Sequence, residues 1–315
     1  MRIPMIFPGQ ASQVVGMARD LATAGGPAAD FLATVNDALG DDLTGVMFEG
    51  PGETLTETHN AQPAILAHSV AVALALRAQG VEPSLVAGHS LGEFSAAVAA
   101  GALSPLDGLR LVRERGRLMF AAGQEVPGTM AAVLGLASDK VREVCAAVDG
   151  VVVLANDNTE GQVVISGEVP AVEAAEAPLK EAGARRVQRL NVSGAFHSPL
   201  LEGAAAAFRE VLAGVDFAAP TVPLVANVDA RPVTTAAGLR EGFGRQLTSS
   251  VLWRDIMAHI AGGAPAPRVV LEVGPGRVLS NMAKRAYPDT TFIAVGSVED
   301  LAGLEDSLAA AGFDS

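Results

Sequence analysis

The chain carries a single cysteine, Cys145, in 315 residues, so no disulfide can form within it. That suits a reducing compartment, and a cytoplasmic setting is the expectation. Cys145 lies on a helical face in Val141–Ala146 and reads as structural. Positive charge is scarce: 22 Lys and Arg against 35 Asp and Glu leave a formal charge of −13. No run of Lys or Arg is present, so no nucleic acid is expected as a partner. No His or Cys pair has metal-ligand spacing, so no metal is expected either. Long apolar runs are missing too. The most apolar stretch, Ala64 to Leu76, contains His68 and Ser69 and falls short of the ~20 residues that cross a bilayer. Met1 to Phe7 reaches Pro8-Gly9 too soon for a secretory leader. Repeats and low-complexity segments are absent, and Gly262–Pro267 reads as a surface loop.

What is present is an apolar chain, 50% hydrophobic, whose strand-like and helical periods alternate. That order predicts an α/β fold. Residues 3–7 read as a first strand, and a helix is expected from about Pro63 to Ala78, with Pro at its start. Another helix starts at Ser104-Pro105 and runs to about Ala121. The pattern changes near Pro127. Strands at 130–136, 151–155, 162–166 and 186–192, with helices at 139–148 and 169–182, follow the β-α-β-β-α-β order of a ferredoxin-like unit. After about residue 195 the first pattern resumes, with strands at 222–226, 269–273 and 291–295 and a last helix near 301–311. The expected organisation is a large α/β domain over 1–126 and 195–315, with a small subdomain inserted at 127–194.

The densest chemical signal is Gly88-His89-Ser90-Leu91-Gly92. Strand-like Ser84–Ala87 precedes it and helix-forming Glu93–Ala100 follows, closed by Gly101. Strand, tight turn with a glycine on each side of serine, then helix is the nucleophile elbow. It places Ser90 Oγ at a helix N-terminus, where the helix dipole and free N–H groups favour developing negative charge. One oxyanion donor in such a turn is the N–H after the nucleophile, here Leu91. The second comes from a neighbouring strand-to-helix loop, and Pro8-Gly9-Gln10-Ala11 offers amides for it.

A nucleophilic serine needs a base. His68 and His259 sit within helices and read as structural. His59 falls in a polar turn, solvated or capping. His89 precedes Ser90, and the pleat aims its side chain away from the serine's. His197, in Gly194–Pro199 after a strand, is the candidate base, since loops at strand ends gather catalytic groups. Among Asp149, Asp157, Asp216 and Asp229 none stands out as the group that orients it. A Ser-His pair steered by carbonyls or an amide remains open beside a triad.

Around the helix after Ser104, stepping 100° per residue puts Arg110, Arg113 and Arg117 on one face, expected to be solvated. Arg115 falls opposite, among Leu111, Val112, Leu118 and Met119. A guanidinium on an apolar stripe is costly without an anion. Two readings stand: an ion pair with a buried carboxylate, or a clamp that grips a carboxylate substrate through two parallel bonds. Glu272–Gly276 reads as a tight turn, since it lacks the G-x-G-x-x-G pattern.

Taken in order, Phe7–Gln10, Gln62–Ala64, Gly88–Glu93, Arg115-Gly116, Gln162–Gly167, Phe196–Ser198, Gln246-Leu247 and Glu272–Gly276 resemble the malonyl-CoA:acyl carrier protein transacylases of fatty acid synthesis and the related polyketide synthase acyltransferases. The resemblance spans residues 3 to about 310. It implies a hydrolase-like parallel-sheet α/β domain carrying a ferredoxin-like insert, and ping-pong transfer of malonyl from CoA to a carrier's phosphopantetheine thiol. By resemblance Ser90 is the acylated nucleophile and His197 its base, oriented by the main-chain carbonyl of Gln246. The amides of Gln10 and Leu91 form the oxyanion hole. Arg115 binds the malonyl carboxylate, with His89 and Phe196 beside it in the substrate site; the bulk of Phe196 favours malonyl over branched units. No bound cofactor is implied, and malonyl-CoA, an acyl carrier protein, a monomeric state and no membrane complete the expectation. Ala11 departs from the family's usual Gly, which matters only if that turn needs a positive φ. Rival readings are an acyl hydrolase acting on carriers and a carrier-docking protein without catalysis. The net charge calls for a local basic patch to meet an acidic carrier, and Lys180, Arg185, Arg186 and Arg189 are its candidates.

Overall fold

Buried side chains alternate along the first strand. Ile3, Met5 and Phe7 join one apolar core while Ile6 joins another on the opposite face. Val269, Leu271 and Val273 alternate with Val270 in the same way. A strand buried on both faces belongs in the middle of a sheet covered by helices on each side. The computed structural model describes residues 1–192 and 194–313; residue 193 of the expected insert and residues 314–315 of the expected large domain lie outside the described residues. Its strands are β1 (Arg2–Phe7), β2 (Glu82–Gly88), β3 (Gly128–Leu134), β4 (Val152–Thr159), β5 (Gln162–Glu168), β6 (Arg186–Arg189), β7 (Leu224–Val225), β8 (Pro232–Val233), β9 (Val269–Val273) and β10 (Thr291–Val295).

Six of them form one sheet in the order β10-β9-β1-β2-β7-β8. All its pairings are parallel except β7 with β8. Phe7 lies beside Gly88, so the loops leaving β1 and β2 emerge side by side at the sheet's carboxyl edge. That edge is where open α/β sheets carry their ligands. The helices that frame it are α1 (Thr58–Ala78), α2 (Gly92–Ala99) and α3 (Pro105–Glu125).

The other four strands form an antiparallel sheet in the order β4-β5-β3-β6. Helices α4 (Ser138–Ala146) and α5 (Val169–Glu181) cover one face through Val141, Cys145, Val172 and Leu179. On the other face Met130, Ala155 and Val164 join the core of the large sheet. β4 is also tied to a loop of the large unit, with Asp157 N–H donating to Val251 O (2.9 Å) and Val251 N–H to Ala155 O (2.8 Å).

Several elements differ from the sequence reading. α1 begins at Thr58, not at Pro63, and Pro63 lies inside it. Proline removes the N–H that would bond the carbonyl four residues back. That carbonyl, His59 O, instead accepts from Arg113 Nη1 at 2.7 Å, which repairs the ladder from outside. With the extra turn, α1 has the length and composition to cross a membrane, contrary to the sequence reading, yet most of it is buried inside the protein, where it serves as a core helix. His59 is correspondingly a first-turn helical residue, edge-on to Phe120 at 5.0 Å, rather than part of a turn. β4 runs on to Thr159 because two register irregularities let the polar Asn156–Thr159 stay paired. β7 shrinks to two residues, the final helix divides at Gly303, and five short helices fill residues 19–56.

Candidate active site

At the end of β2 the chain turns through Ser90, whose φ of 52° lies in the left-handed region. Such a conformation is sparsely populated by residues other than glycine and persists only where its surroundings hold it. The flanking glycines are required by close approach. A Cβ on Gly88 would overlap the backbone of Gly92, and one on Gly92 would overlap the carbonyl of Phe7. Asn227, buried after β7, splints the turn: its Oδ1 accepts from Ser90 N–H (2.7 Å) and its Nδ2 donates to Gly88 O (2.7 Å). Nothing in the sequence singled out Asn227.

His197, also at positive φ (57°), is buried and reaches the serine, with Nε2 2.8 Å from Ser90 Oγ. Its Nδ1 faces two carbonyls, Gln246 O at 3.0 Å and Ser249 O at 3.2 Å. Carbonyls only accept, so the proton sits on Nδ1 and the lone pair on Nε2 points at the serine hydroxyl. The third group is therefore main chain. Among the described residues no aspartate contacts the ring, and Asp157 instead pairs with Arg254 at 3.2 Å. Burial, and then the charge of Arg115, push the imidazole down to about 3. A depressed value keeps the ring neutral, and so competent as a base, well below pH 6.5. The single-turnover acylation rate at saturating donor is accordingly expected to stay level from pH 8 to below pH 6. An acid limb centred between pH 6 and 7 would contradict this placement of the base.

The loop after β1 lies against the elbow. Among the described residues the amide N–H groups of Gln10 and Leu91 donate to no protein acceptor, and both residues border Ser90. The loop is held by Ser12 Oγ donating to Gly9 O (2.7 Å) and Ala11 N–H donating to Gln13 Oε1 (2.8 Å). Ala11 has φ 77°, so this turn does use the conformation in which a side chain is strained. Ala11→Gly should stabilise the fold by about 1 kcal/mol, read from the denaturant midpoint. An unchanged or lower midpoint would show that the methyl is accommodated there.

Arg115 is 1% exposed on the inner face of α3. Its Nη1 donates to Gln62 Oε1 (2.7 Å), and its Nη2 to Gln246 Oε1 (2.8 Å) and Ser90 Oγ (3.2 Å). The guanidinium also stands over the Phe94 ring, 5.4 Å from its centroid. Its Nε–H has no acceptor among the described residues. Both of its side-chain amide partners are neutral, so the buried-ion-pair reading fails: no carboxylate touches this cation. Burial pulls the guanidinium down to about 9, against the pull of Glu93. On the same helix Arg110 and Arg117 are exposed as expected, whereas Arg113 is mostly buried. It is drawn inward by His59 O and Asn60 Oδ1 in the first helical turn of α1, and it also pairs with Asp41 (2.7 Å) in a loop before that helix.

Two further buried groups complete the arrangement. Gln246 Nε2 donates to Ser90 O (3.0 Å) and to Glu93 Oε2 (2.5 Å), so one residue joins the serine, the histidine and the arginine. Glu93 is 2% exposed, and burial raises its carboxyl to about 7 despite hydrogen bonds from Gln246 and Asn227. A cavity of about 400 Å³ opens onto Ser90 and His197 and is lined by Gln10, His89, Met119, Met130, Asn156, Leu190 and Phe196. His89 forms part of that wall while its Nε2 meets Asn158 Oδ1 of the insert at 2.8 Å, turned from the serine. His68 is a core residue held by Gly296 O (2.6 Å), and His259 lies exposed on its helix. Glu272 accepts from the N–H groups of Leu279 and Ser280, so the 272–276 turn caps a helix.

The sequence profile described as "Acyl transferase domain" matches residues 5–306. The chain belongs to the acyl transferase domain family. This acyltransferase is 40% identical over 303 residues to the malonyl CoA-acyl carrier protein transacylase of Bacillus subtilis, covering 95% of each chain. It superposes on the acyl-carrier-protein S-malonyltransferase of Bartonella henselae with a TM-score of 0.92 and 40% identity, over 99% of this chain and 100% of that one. A complex of a type II PKS acyl-carrier protein with its malonyl-transacylase matches with a TM-score of 0.91 and 39% identity, over 98% of this chain and 100% of that one. In the acyltransferase the candidate basic residues lie on the insert. Arg185 and Arg186 are exposed, Arg189 pairs with Glu173 (2.7 Å), and Lys180 stands 4.0 Å from Glu176.

Proposed function

We propose that this acyltransferase moves a malonyl group from CoA to the phosphopantetheine thiol of an acyl carrier protein by a ping-pong route. The observation that carries the reading is a buried arginine without a carboxylate partner whose Nη2 stands 3.2 Å from Ser90 Oγ. A group bonded to that serine brings a carboxylate two carbons further on within reach of the guanidinium. Charge-assisted bonds to it replace the Oγ contact.

In the first half-reaction Ser90 Oγ attacks the thioester carbon while His197 Nε2 takes its proton. The developing oxyanion lies toward the Gln10 and Leu91 amides, which are already oriented and cost no reorganisation. The C–S bond breaks, and the thiolate of CoA leaves with the proton that His197 returns. In the second half the carrier thiol gives its proton to His197 and its sulfur attacks the acyl-serine; the bond from the acyl carbon to Oγ breaks, and His197 returns the proton to Oγ. Both half-reactions use only the chain's own groups, and no bound cofactor is needed. Relatives named malonyl transacylases, and a structural neighbour held by its carrier protein, support the choice of donor and acceptor. Either fatty acid or polyketide carriers fit this chemistry.

Intact mass after incubation with malonyl-, methylmalonyl- and acetyl-CoA in turn tests the reading. The malonyl adduct should form fastest and survive for minutes without an acceptor thiol. Prompt loss of the adduct to water would instead mark an acyl hydrolase. For the carrier, reversing the charges of Arg185, Arg186 and Arg189 should slow transfer to carrier protein at low salt while leaving transfer to a small thiol unchanged, because surface charge acts on encounter and is screened. Equal carrier rates for variant and parent would remove this patch.

A further inference from the structure

Glu93 is a buried titratable group beside the site that the transfer reaction does not use. It does not touch Ser90 Oγ or His197. It lies behind Gln246, with Oε2 2.5 Å from Nε2 of that side chain and Oε1 3.3 Å from the N–H of Asn227. Gln246 Oε1 in turn holds Arg115 at 2.8 Å. The buried charges are therefore one guanidinium and one carboxyl, separated by a neutral amide. The groups facing Glu93 can be named. Arg115 from α3 favours its anion, and Asp229, exposed after β7, opposes it. His197 and His89 stand on the serine's side of Arg115, and burial lowers both, His197 to about 3.

An acyl group with its own carboxylate upsets this balance. With Glu93 ionised, the site would hold two anions and one cation, all away from water. Like charges sharing a buried site do not both stay ionised; one takes a proton. The acyl carboxylate would have direct bonds to Arg115 and the low pKa of an ordinary carboxylic acid, whereas burial raises Glu93 to about 7. The proton therefore goes to Glu93.

Resting on the malonyl reading above, we propose that Glu93 is a specificity residue: it takes up one proton from solvent when the acyl carboxylate pairs with Arg115, so that a carboxylated acyl group is bound together with a proton and a plain acyl group is not. One proton taken up on binding makes affinity fall about tenfold per pH unit above the titration of the free site. CoA's phosphates are common to all donors and cancel in a ratio of donors. His197, pushed down to about 3, is neutral throughout the window, and any contribution of His89 is common to parent and Glu93→Gln, so their comparison removes it.

The experiment is the pH profile of kcat/KM for malonyl-CoA and acetyl-CoA, between pH 6 and 8.5, for the parent and for Glu93→Gln. Gln at this position keeps an oxygen to accept from Gln246 but cannot hold the charge. In the parent the malonyl to acetyl ratio should be flat at pH 6 to 6.5 and fall toward tenfold per unit by pH 8, through KM rather than kcat. In Glu93→Gln the ratio should be level across the range and exceed the parent's at pH 8. A parent ratio that is level, or a slope that survives in Glu93→Gln, overturns the proposal. Should Glu93→Gln not fold, titration calorimetry decides. Ser90→Ala protein at pH 8, titrated with malonyl-CoA in two buffers of different ionisation enthalpy, should take up about one proton more than with acetyl-CoA. Equal proton counts overturn the idea. The two readings fail differently: a parent that never prefers malonyl at any pH refutes the functional assignment and this proposal with it, while a preference that ignores pH refutes the proposal alone.

Discussion

Ser90→Ala leaves the protein folded and without any covalent acyl adduct. The substitution removes only a hydroxyl, and that hydroxyl makes two contacts, with His197 Nε2 at 2.8 Å and Arg115 Nη2 at 3.2 Å. The turn itself is fixed by other atoms: Asn227 bonds the Ser90 N–H and the Gly88 carbonyl, and Gln246 bonds the Ser90 carbonyl. Alanine keeps every one of these main-chain bonds. The left-handed φ of 52° is no worse for alanine than for serine, so the melting temperature should stay within a few degrees. Chemistry has no substitute route. Among the described residues the hydroxyl that meets His197 Nε2 is that of Ser90, and Cys145 is buried in the insert with its thiol pushed up to about 11. Loss of a nucleophile that acts as a unit with its base costs about 10⁶ in kcat. The checks are intact mass after incubation with malonyl-CoA and transfer to a thiol. A malonyl adduct that persists on the variant would move the nucleophile elsewhere.

The parts of this site visible in the sequence are those specified by local order. Gly88–Gly92 between a strand and a helix announces an elbow because glycine spacing and the change of period lie within a dozen residues. Arg115 announces itself by falling on the wrong face of an amphipathic helix. The resemblance to transacylases added the partner of His197 at Gln246. The insert was legible from the order of its elements, although β4 continues through Asn156–Thr159, where polar residues conceal a strand that a bulge keeps paired.

Hidden in the sequence were contacts between distant residues of ordinary type. Ser90 and Asn227 are 137 positions apart, Glu93 and Gln246 are 153, and no periodicity links them. Glu93 reads as a helix-starting acid, which is a common surface residue. Its burial follows from the elbow packing α2 into the sheet edge. The length of α1 was obscured by a real local rule, proline at a helix start. It failed because Arg113, on another helix, supplies the bond to His59 O that Pro63 forgoes. The same contact explains why Arg113 is mostly buried. One tertiary bond thus overturned two local expectations, and neither could be corrected without the fold.

Arg115→Ala changes which acyl group the enzyme accepts. The guanidinium lies at the inner end of the site, 1% exposed, with one neutral glutamine on each side and no carboxylate in contact. Such a cation is costly to bury alone, and an incoming anion offsets that cost. Malonyl brings the anion and acetyl does not. Without Arg115 the malonyl carboxylate would enter a dry site facing the oxygens of Gln62 and Gln246, both acceptors. Removing one member of a buried hydrogen-bonded charge pair costs about 3 kcal/mol, more than a hundredfold in rate. Acetyl never used the clamp, so its transfer loses only what the freed glutamines cost. Gln246 also carries the carbonyl that holds His197, which makes a modest loss common to both donors. The ratio of the two donors separates these effects: malonyl over acetyl should fall about a hundredfold, measured as acyl-enzyme formed in competition. Arg115→Lys should recover part of the malonyl rate and little of the selectivity, since one ammonium cannot span Gln62, Gln246 and a carboxylate together. Equal losses for malonyl and acetyl would make Arg115 a residue that supports Gln62 and Gln246, and the carboxylate site would then lie elsewhere in the cavity.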